Sequence, residues 1–325
     1  MTITATIIAD SISPSGKRIT TYELEYPRFI HAEFMTHRMF SRNAASSRAI
    51  PIAKAIRLII ENTARPTHWG KNQPGMSARE EHNELVGGNG TNVVGVTREE
   101  AWDFARNRAV KSAKDFEAAG YHKQIVNRLL EPFSHIKVVC TATEYDNFFW
   151  LREHPDAQPE IRELAVKMLE AARNSKPVQL QPGEWHVPYY KDGYWKPYTQ
   201  KANVDDPQVG VGKTLDEALA ISASCCAQVS YRVLDTSLEK AISIFERLVS
   251  AKPVHASPFE HQASPMAEDC VREDEQVLLM FAESDPQTDY ITHVDRRGRF
   301  WSGNFMGWIQ HRQMIPDNTC WRYDG

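Results

Sequence analysis

The chain opens with a period-two alternation of apolar and polar residues. Thr2 to Ala9 interleaves Thr with Ile and Ala, Ser13-Pro14-Ser15-Gly16 supplies turn chemistry, and Tyr22, Leu24 and Tyr26 resume the alternation, which together predict a β-hairpin. Pro27, with its fixed φ and no N–H, suits a first helical position. Phe29, Ile30, Phe34 and Met35 then continue as an apolar approach helix that ends at His37-Arg38. Gly87-Gly88-Asn89-Gly90 reads as a loop connection. Thr97 with Glu100 makes a capping box for a helix carrying Trp102, Ala105, Ala109, Ala113 and Phe116, and Gly120 stops it. Ile161, Leu164, Ala165, Met168, Leu169 and Ala172 follow helical spacing and predict a strongly amphipathic helix. Pro177 to Tyr198, dense in Pro, Trp and Tyr, reads as an ordered, irregular connector whose aromatics pack rather than stack on a ligand. Two further capping boxes, Thr214 with Glu217 and Thr236 with Glu239, open helices that flank a strand or turn at Ser230. Val277 to Phe281 is a buried-strand candidate, and Gly307-Trp308-Ile309-Gln310-His311-Arg312 echoes the approach to His37-Arg38 and is expected on a helix beside it.

With 325 residues, 42% hydrophobic and 25% charged, the chain can bury a sizeable core. A formal net charge of -4 leaves no electrostatic footprint for a nucleic-acid backbone or an anionic membrane, so neither is expected as a partner. The first ten residues lack a basic leader and a long apolar run, and no segment approaches membrane-spanning length. Five cysteines, Cys140, Cys225, Cys226, Cys270 and Cys320, form no Cys-x-x-Cys pair, and an odd number argues against a secreted disulfide framework. The cytoplasm is the expected compartment, and the thiols read as small buried hydrophobes.

Chemistry concentrates in Thr36-His37-Arg38-Met39-Phe40-Ser41-Arg42-Asn43-Ala44-Ala45-Ser46-Ser47-Arg48. Ser41, Asn43, Ser46 and Ser47 offer short hydrogen-bonding side chains, while Arg38, Arg42 and Arg48 offer planar forks that match phosphate oxygens. A solvated basic turn would have the same composition. Other motifs fall away on spacing. Gly210-Val211-Gly212-Lys213-Thr214 lacks the upstream glycine of a phosphate loop, because Pro207 stands there. His255 and His261 stand six apart with no paired cysteines, which fits no zinc spacing, so no metal is expected. None of the five cysteines follows a proline, and no thiolate nucleophile is expected among them. For His31 and His122, which match no motif, a structural role is expected.

The stretch resembles the signature of the flavin-dependent thymidylate synthases, Arg-His-Arg-x-x-Ser-x-Asn-x-x-Ser-x-Arg, at every specified position but the first, where Thr36 stands. Arg128-Leu-Leu-Glu-Pro132, Asn147-Phe148-Phe149-Trp150-Leu151-Arg152 and the helix from Ala157 to Ala165 are similar to that family's nucleotide-binding region. Val229-Ser230-Tyr231 and His255-Ala256-Ser257-Pro258-Phe259-Glu260-His261 are similar to its flavin-contacting segment. The resemblance implies an α+β fold, an antiparallel sheet with packed helices, assembled as a homotetramer with sites at subunit interfaces. It implies bound FAD, with NADPH and methylenetetrahydrofolate as co-substrates, and reductive methylation of dUMP to dTMP. One elaborated catalytic domain over 1–325 is expected: a motif block at 1–65, a nucleotide-binding block at 97–175, the connector at 176–213 and a flavin-binding block at 214–325.

Residue by residue, the resemblance makes Arg152 and His255 catalytic, with Arg152 against the pyrimidine O2/N3 edge and His255 near the transfer centre. It assigns Ser46, Ser47, Arg48 and Arg128 to the nucleotide, its 5′-phosphate above all. Glu33 and Thr36 fall at further nucleotide positions. His37, Arg38, Asn147, Ser230, His255, Ser257 and Glu260 map onto flavin contacts. Two departures stand out. Glu33 and Thr36 replace the family's Gln and Arg, which leaves an acceptor-only carboxylate and one fork fewer, so that a dCMP substrate, a hydroxymethyl product, or a binding module without turnover stays open. The His255–His261 segment, which precedes the His-Arg motif in the family, here comes after it by more than two hundred residues, as if the chain were permuted.

Overall fold

The computed structural model describes residues 3–87, 94–197, 214–229, 235–271, 288–320 and 322. The expected hairpin is present: β1 (Thr4–Ile12) and β2 (Arg18–Pro27) pair antiparallel around Gly16, whose φ of 86° the turn requires. Pro27 ends β2 and does not start the approach helix, because it still lies in register with His135 of the neighbouring strand. The approach itself is a short 3-10 turn and a single helical turn, α1 (His31–Phe34), which bury Ile30 and Phe34 and leave Phe29 and Met35 exposed.

Ser41–Ala44, read as a basic turn, is a strand, β3, because it finds a partner in β4 (His135–Ala142), with Ser41 opposite Thr141 and Asn43 opposite Val139. α2 (Ile52–Glu61) and α3 (Arg98–Ala118) succeed it, and α3 carries the predicted Thr97–Glu100 capping box. Then come α4 (Lys123–Val126), a 3-10 turn at Asn127–Phe133, α5 (Asp146–Arg152) and the amphipathic α6 (Pro159–Asn174). The connector contributes β5 (Val178–Gln179), β6 (Trp185–His186) and β7 (Tyr194–Trp195), with Trp185 and Tyr190 buried. α7 (Leu215–Ala227) keeps its Thr214 cap, whereas α8 (Leu238–Ser250) is capped by Ser237, not Thr236. The chain closes through β8 (Ala263–Pro265), β9 (His293–Val294), β10 (Phe300–Ser302), β11 (Phe305–Met306) and β12 (Trp308–Gln310). The Gln310 echo is therefore a strand running into a 3-10 turn at His311–Met314, not a helix. Expectations at Gly88 to Gly90, Gly210 to Lys213, Ser230 and Val277 to Phe281 lie outside the described residues.

The main sheet has the order β3-β4-β2-β1-β5, antiparallel except where β5 joins β1 in parallel. Its two faces differ in chemistry. Tyr22, Leu24 and Tyr26 with Cys140, Val138 and Ile136 face an apolar core shared with Phe34, Phe40, Phe148 and the Ile161, Leu164 and Met168 face of α6. The opposite face carries the hydroxyls of Ser11, Thr21, Ser41 and Thr141, all buried under the β12-β8-β6-β7 sheet. A chain of hydrogen bonds crosses that layer: Ser11 Oγ to His186 Nδ1 at 3.0 Å, His186 Nε2 to Thr21 Oγ1 at 2.8 Å, Thr21 to Thr141 at 2.7 Å, and Thr141 to His261 Nδ1 at 2.8 Å. The architecture is mixed α+β with antiparallel sheets and packed helices.

Candidate active site

Phe40 and Phe148 anchor the turn after α1 by packing around His37, whose ring meets Phe148 edge-on at 4.9 Å and stacks on Phe40 at 5.8 Å. This sets the imidazole toward the last residue of α5. Arg152 donates from Nε to His37 Nε2 at 3.0 Å and from Nη1 to Glu33 Oε1. A guanidinium only donates, so His37 Nε2 accepts and the imidazole carries its proton on Nδ1. Burial, with the neighbouring Arg152 and Arg42 cations, pulls the His37 pKa down to about 4, which keeps it neutral near pH 7. Glu33 and Arg152 line a cleft of about 1590 Å³, whose walls also include Phe29, Trp102, Glu160 and Arg162.

The other predicted residues fall into two further groups. Ser47 and Arg48 lie in a 3-10 turn that Ser46 precedes, tied to the turn carrying Arg128 by Asn127, whose Nδ2 donates to Ser47 O at 2.8 Å and Ile50 O at 2.9 Å. Arg48 is exposed, and Arg128 is exposed and paired with Glu131 at 3.0 Å. His255 and Ser257 are exposed beside the 3-10 turn Ser257–Glu260, which packs on β3 and so places the late segment against the early motif within one chain. Glu260 is held by Arg312. Arg38, Thr36 and Asn147 are exposed, Thr36 with its hydroxyl on Glu33 O at 2.7 Å. Arg42 is not an anion fork: its Nη1 satisfies the carbonyls of Phe34 and His37 at the end of α1. His122 caps α4 through Nδ1, and His31 bonds Tyr26 at 2.9 Å.

Cys140, Cys225 and Cys226 are buried as expected, whereas Cys270 and Cys320 are exposed, outside the reading as buried hydrophobes. Burial pushes the Cys140 and Cys225 thiols up to about 12, so neither is a thiolate. Sequence reasoning missed Asn304, which grips the motif turn, and the buried His186; it named Arg312 and His261 but not the grip of Arg312 on Glu260 or the burial of His261. The Gln310 echo was the one signal pointing to that region.

Arg38 and Arg48, exposed and without an acidic partner among the described residues, and the exposed His255 and Ser257 are donors of the kind that fits an anionic nucleotide or dinucleotide. The sequence model of the family described as thymidylate synthase complementing protein matches residues 13–178, just over half of the chain. The matched span contains the motif, Arg128, Asn147 and Arg152, and ends before the His255–His261 segment. A comparison with curated proteins finds no match. Among the described residues no helix is long and apolar enough to cross a membrane, and no cluster of His, Cys, Asp or Glu is set to hold a metal ion.

Proposed function

The chain belongs to the thymidylate synthase complementing protein family, the flavin-dependent thymidylate synthases, and from that membership we propose that it methylates dUMP to dTMP with FAD bound, methylenetetrahydrofolate as carbon source and NADPH as reductant. The observation that carries the reading is the Glu33–Arg152–His37 cluster, of which Glu33 and Arg152 line the cleft. Arg152 binds the pyrimidine carbonyl edge and stabilises negative charge as the ring is polarised toward C5 attack, without a covalent thiol adduct. Glu33 and His37 fix the guanidinium plane, and the neutral His37 adds no competing positive charge. Ser46, Ser47, Arg48 and Arg128 hold the 5′-phosphate. His37, Arg38, Asn147, Ser230, His255, Ser257 and Glu260 hold the flavin, with His255 near the transfer centre; when bound, the flavin supplies the hydride that completes the methyl group. The whole chain acts as one catalytic unit, assembled as a cytoplasmic homotetramer.

A specific observation supports a second reading. The Glu33 carboxylate beside Arg152 offers an acceptor next to donors, the pattern that cytosine complements with its amino group, N3 and O2, so methylation or hydroxymethylation of dCMP is the alternative. One experiment separates these. Purified protein is assayed for released FAD and for NADPH oxidation with dUMP or dCMP, and the product is weighed by mass spectrometry. A dTMP mass with dUMP supports the first reading, a mass gain only with dCMP supports the second, and colourless protein that takes up no FAD at micromolar concentration removes both.

A further inference from the structure

The C-terminal region after residue 300 lies outside the matched span, yet it reaches into the motif. Gln310 is 1% exposed, on β12 opposite Ala263. Its Nε2 lies 3.2 Å from Ser41 Oγ, 2.8 Å from Asn304 Oδ1 and 3.2 Å from the Glu260 carbonyl, and since a carbonyl only accepts, the amide nitrogen must face this group. Ser41 in turn donates to Asn304 Oδ1 at 3.1 Å, and Asn304 Nδ2 donates to Met39 O at 2.9 Å. Gly303 makes the approach possible: at φ 60° it turns β10 back, and a Cβ there would collide with Gln310 Oε1. Arg312, two residues on, grips the Glu260 carboxylate. The result is a clamp. It holds residues 39–41, directly after His37-Arg38, and the Glu260 turn in one frame.

We propose that Gln310 is a positioning residue of the candidate site, acting through Ser41 and the Glu260 carbonyl to set His37-Arg38 against the His255–Glu260 segment. The proposal rests on the reading that these two segments form one ligand site. Its physical core is the geometry of donation. An amide offers two hydrogens to three acceptors, a thioether of similar length offers none, and a buried carboxyl offers one only when protonated.

The test compares Gln310→Met, Gln310→Glu and Asn304→Ala with the unaltered protein, reading FAD affinity, kcat and KM separately, and amide hydrogen exchange. Gln310→Met is expected to weaken FAD binding about tenfold and to speed exchange at residues 37–43, with α6 unchanged. Gln310→Glu should match it at about pH 8 and recover part of the affinity toward roughly pH 5.5, as the buried carboxyl takes up a proton, while Gln310→Met stays flat across that range. Should Gln310→Met fail to fold, Asn304→Ala, at a partly exposed position, reads the same clamp. Unchanged exchange at 37–43 in a folded variant overturns the proposal, as does FAD affinity equal to that of the unaltered protein. If the unaltered protein binds no FAD, the functional reading falls, and the exchange comparison alone still decides whether the clamp exists.

Discussion

In the proposed function Arg152 carries the chemistry, and its environment sets what its loss should do. Both of its contacts are made by fixed groups, Glu33 on α1 and a His37 wedged between Phe40 and Phe148, so the guanidinium is oriented before any ligand arrives. A donor placed in advance against developing charge acts on turnover more than on ground-state binding. Arg152→Ala should therefore lower kcat by about a hundredfold or more with little change in nucleotide Kd. Arg48 is the contrasting case, an exposed fork with no acidic partner among the described residues. Arg48→Ala should weaken nucleotide binding by about ten- to a hundredfold and leave kcat at saturation close to that of the unaltered protein. Isothermal titration with single-turnover kinetics measures both, and equal losses in binding for the two variants would remove the division of roles.

At the scale of elements, capping chemistry was the most legible signal, and it offers a quantitative check. The Thr214 hydroxyl accepts from Glu217 N at 3.3 Å and the Glu217 carboxylate accepts from Thr214 N at 2.7 Å, so two orphan donors at the start of α7 depend on one residue pair. Thr214→Ala should cost about 1 kcal/mol in urea denaturation, whereas Thr236→Ala should cost almost nothing, because Ser237 caps α8. Equal costs would contradict the observed cap. The hairpin, α3, α6 and α7 were readable because each carries its own period and punctuation. β3 was not, since Ser-Arg-Asn-Ala has no strand-forming character and becomes a strand only by pairing with β4, nearly a hundred residues away. The strands β5 to β12 are two or three residues long, too short for any period to register. Within the site, the order of residues in the motif was legible, while the Glu33–Arg152 pair and the Gln310 clamp were not, because side-chain partners distant in sequence leave no local pattern.

At the scale of the molecule, a buried polar layer joins the matched span to the rest of the chain, and it should make stability fall in acid. Burial pulls the pKa of His186 and His261 down to about 3 and that of His311 down to about 4, with His186 adding to the shift at His261. The unfolded chain takes up these protons near pH 6.5, so between that pH and the folded values the unfolded state binds more protons than the native one. Stability is fully present above about pH 6.5 and falls as pH drops toward 4, by up to roughly 1.4 kcal/mol per pH unit for each group. Urea denaturation at several pH values measures this, and a flat profile from pH 7 to pH 4.5 would contradict neutral burial. The same layer predicts how the two ends of the chain depend on each other. Trp308 is fully buried in a cluster with Ile19, Leu180, Ala263 and Phe305, and its Nε1 donates to Lys17 O at 3.2 Å, so one C-terminal side chain closes the seam over the first hairpin. If the late segment is integral to the fold, Trp308→Ala should destabilise the whole molecule by about 3–5 kcal/mol in a single cooperative transition. Trp150→Ala, at a position 76% exposed, should change it by less than about 0.5 kcal/mol. A Trp308→Ala variant that melts in two steps, with the β1–β2 and α6 region keeping its original transition, would mean that the matched span folds independently and that the late segment is only docked onto it.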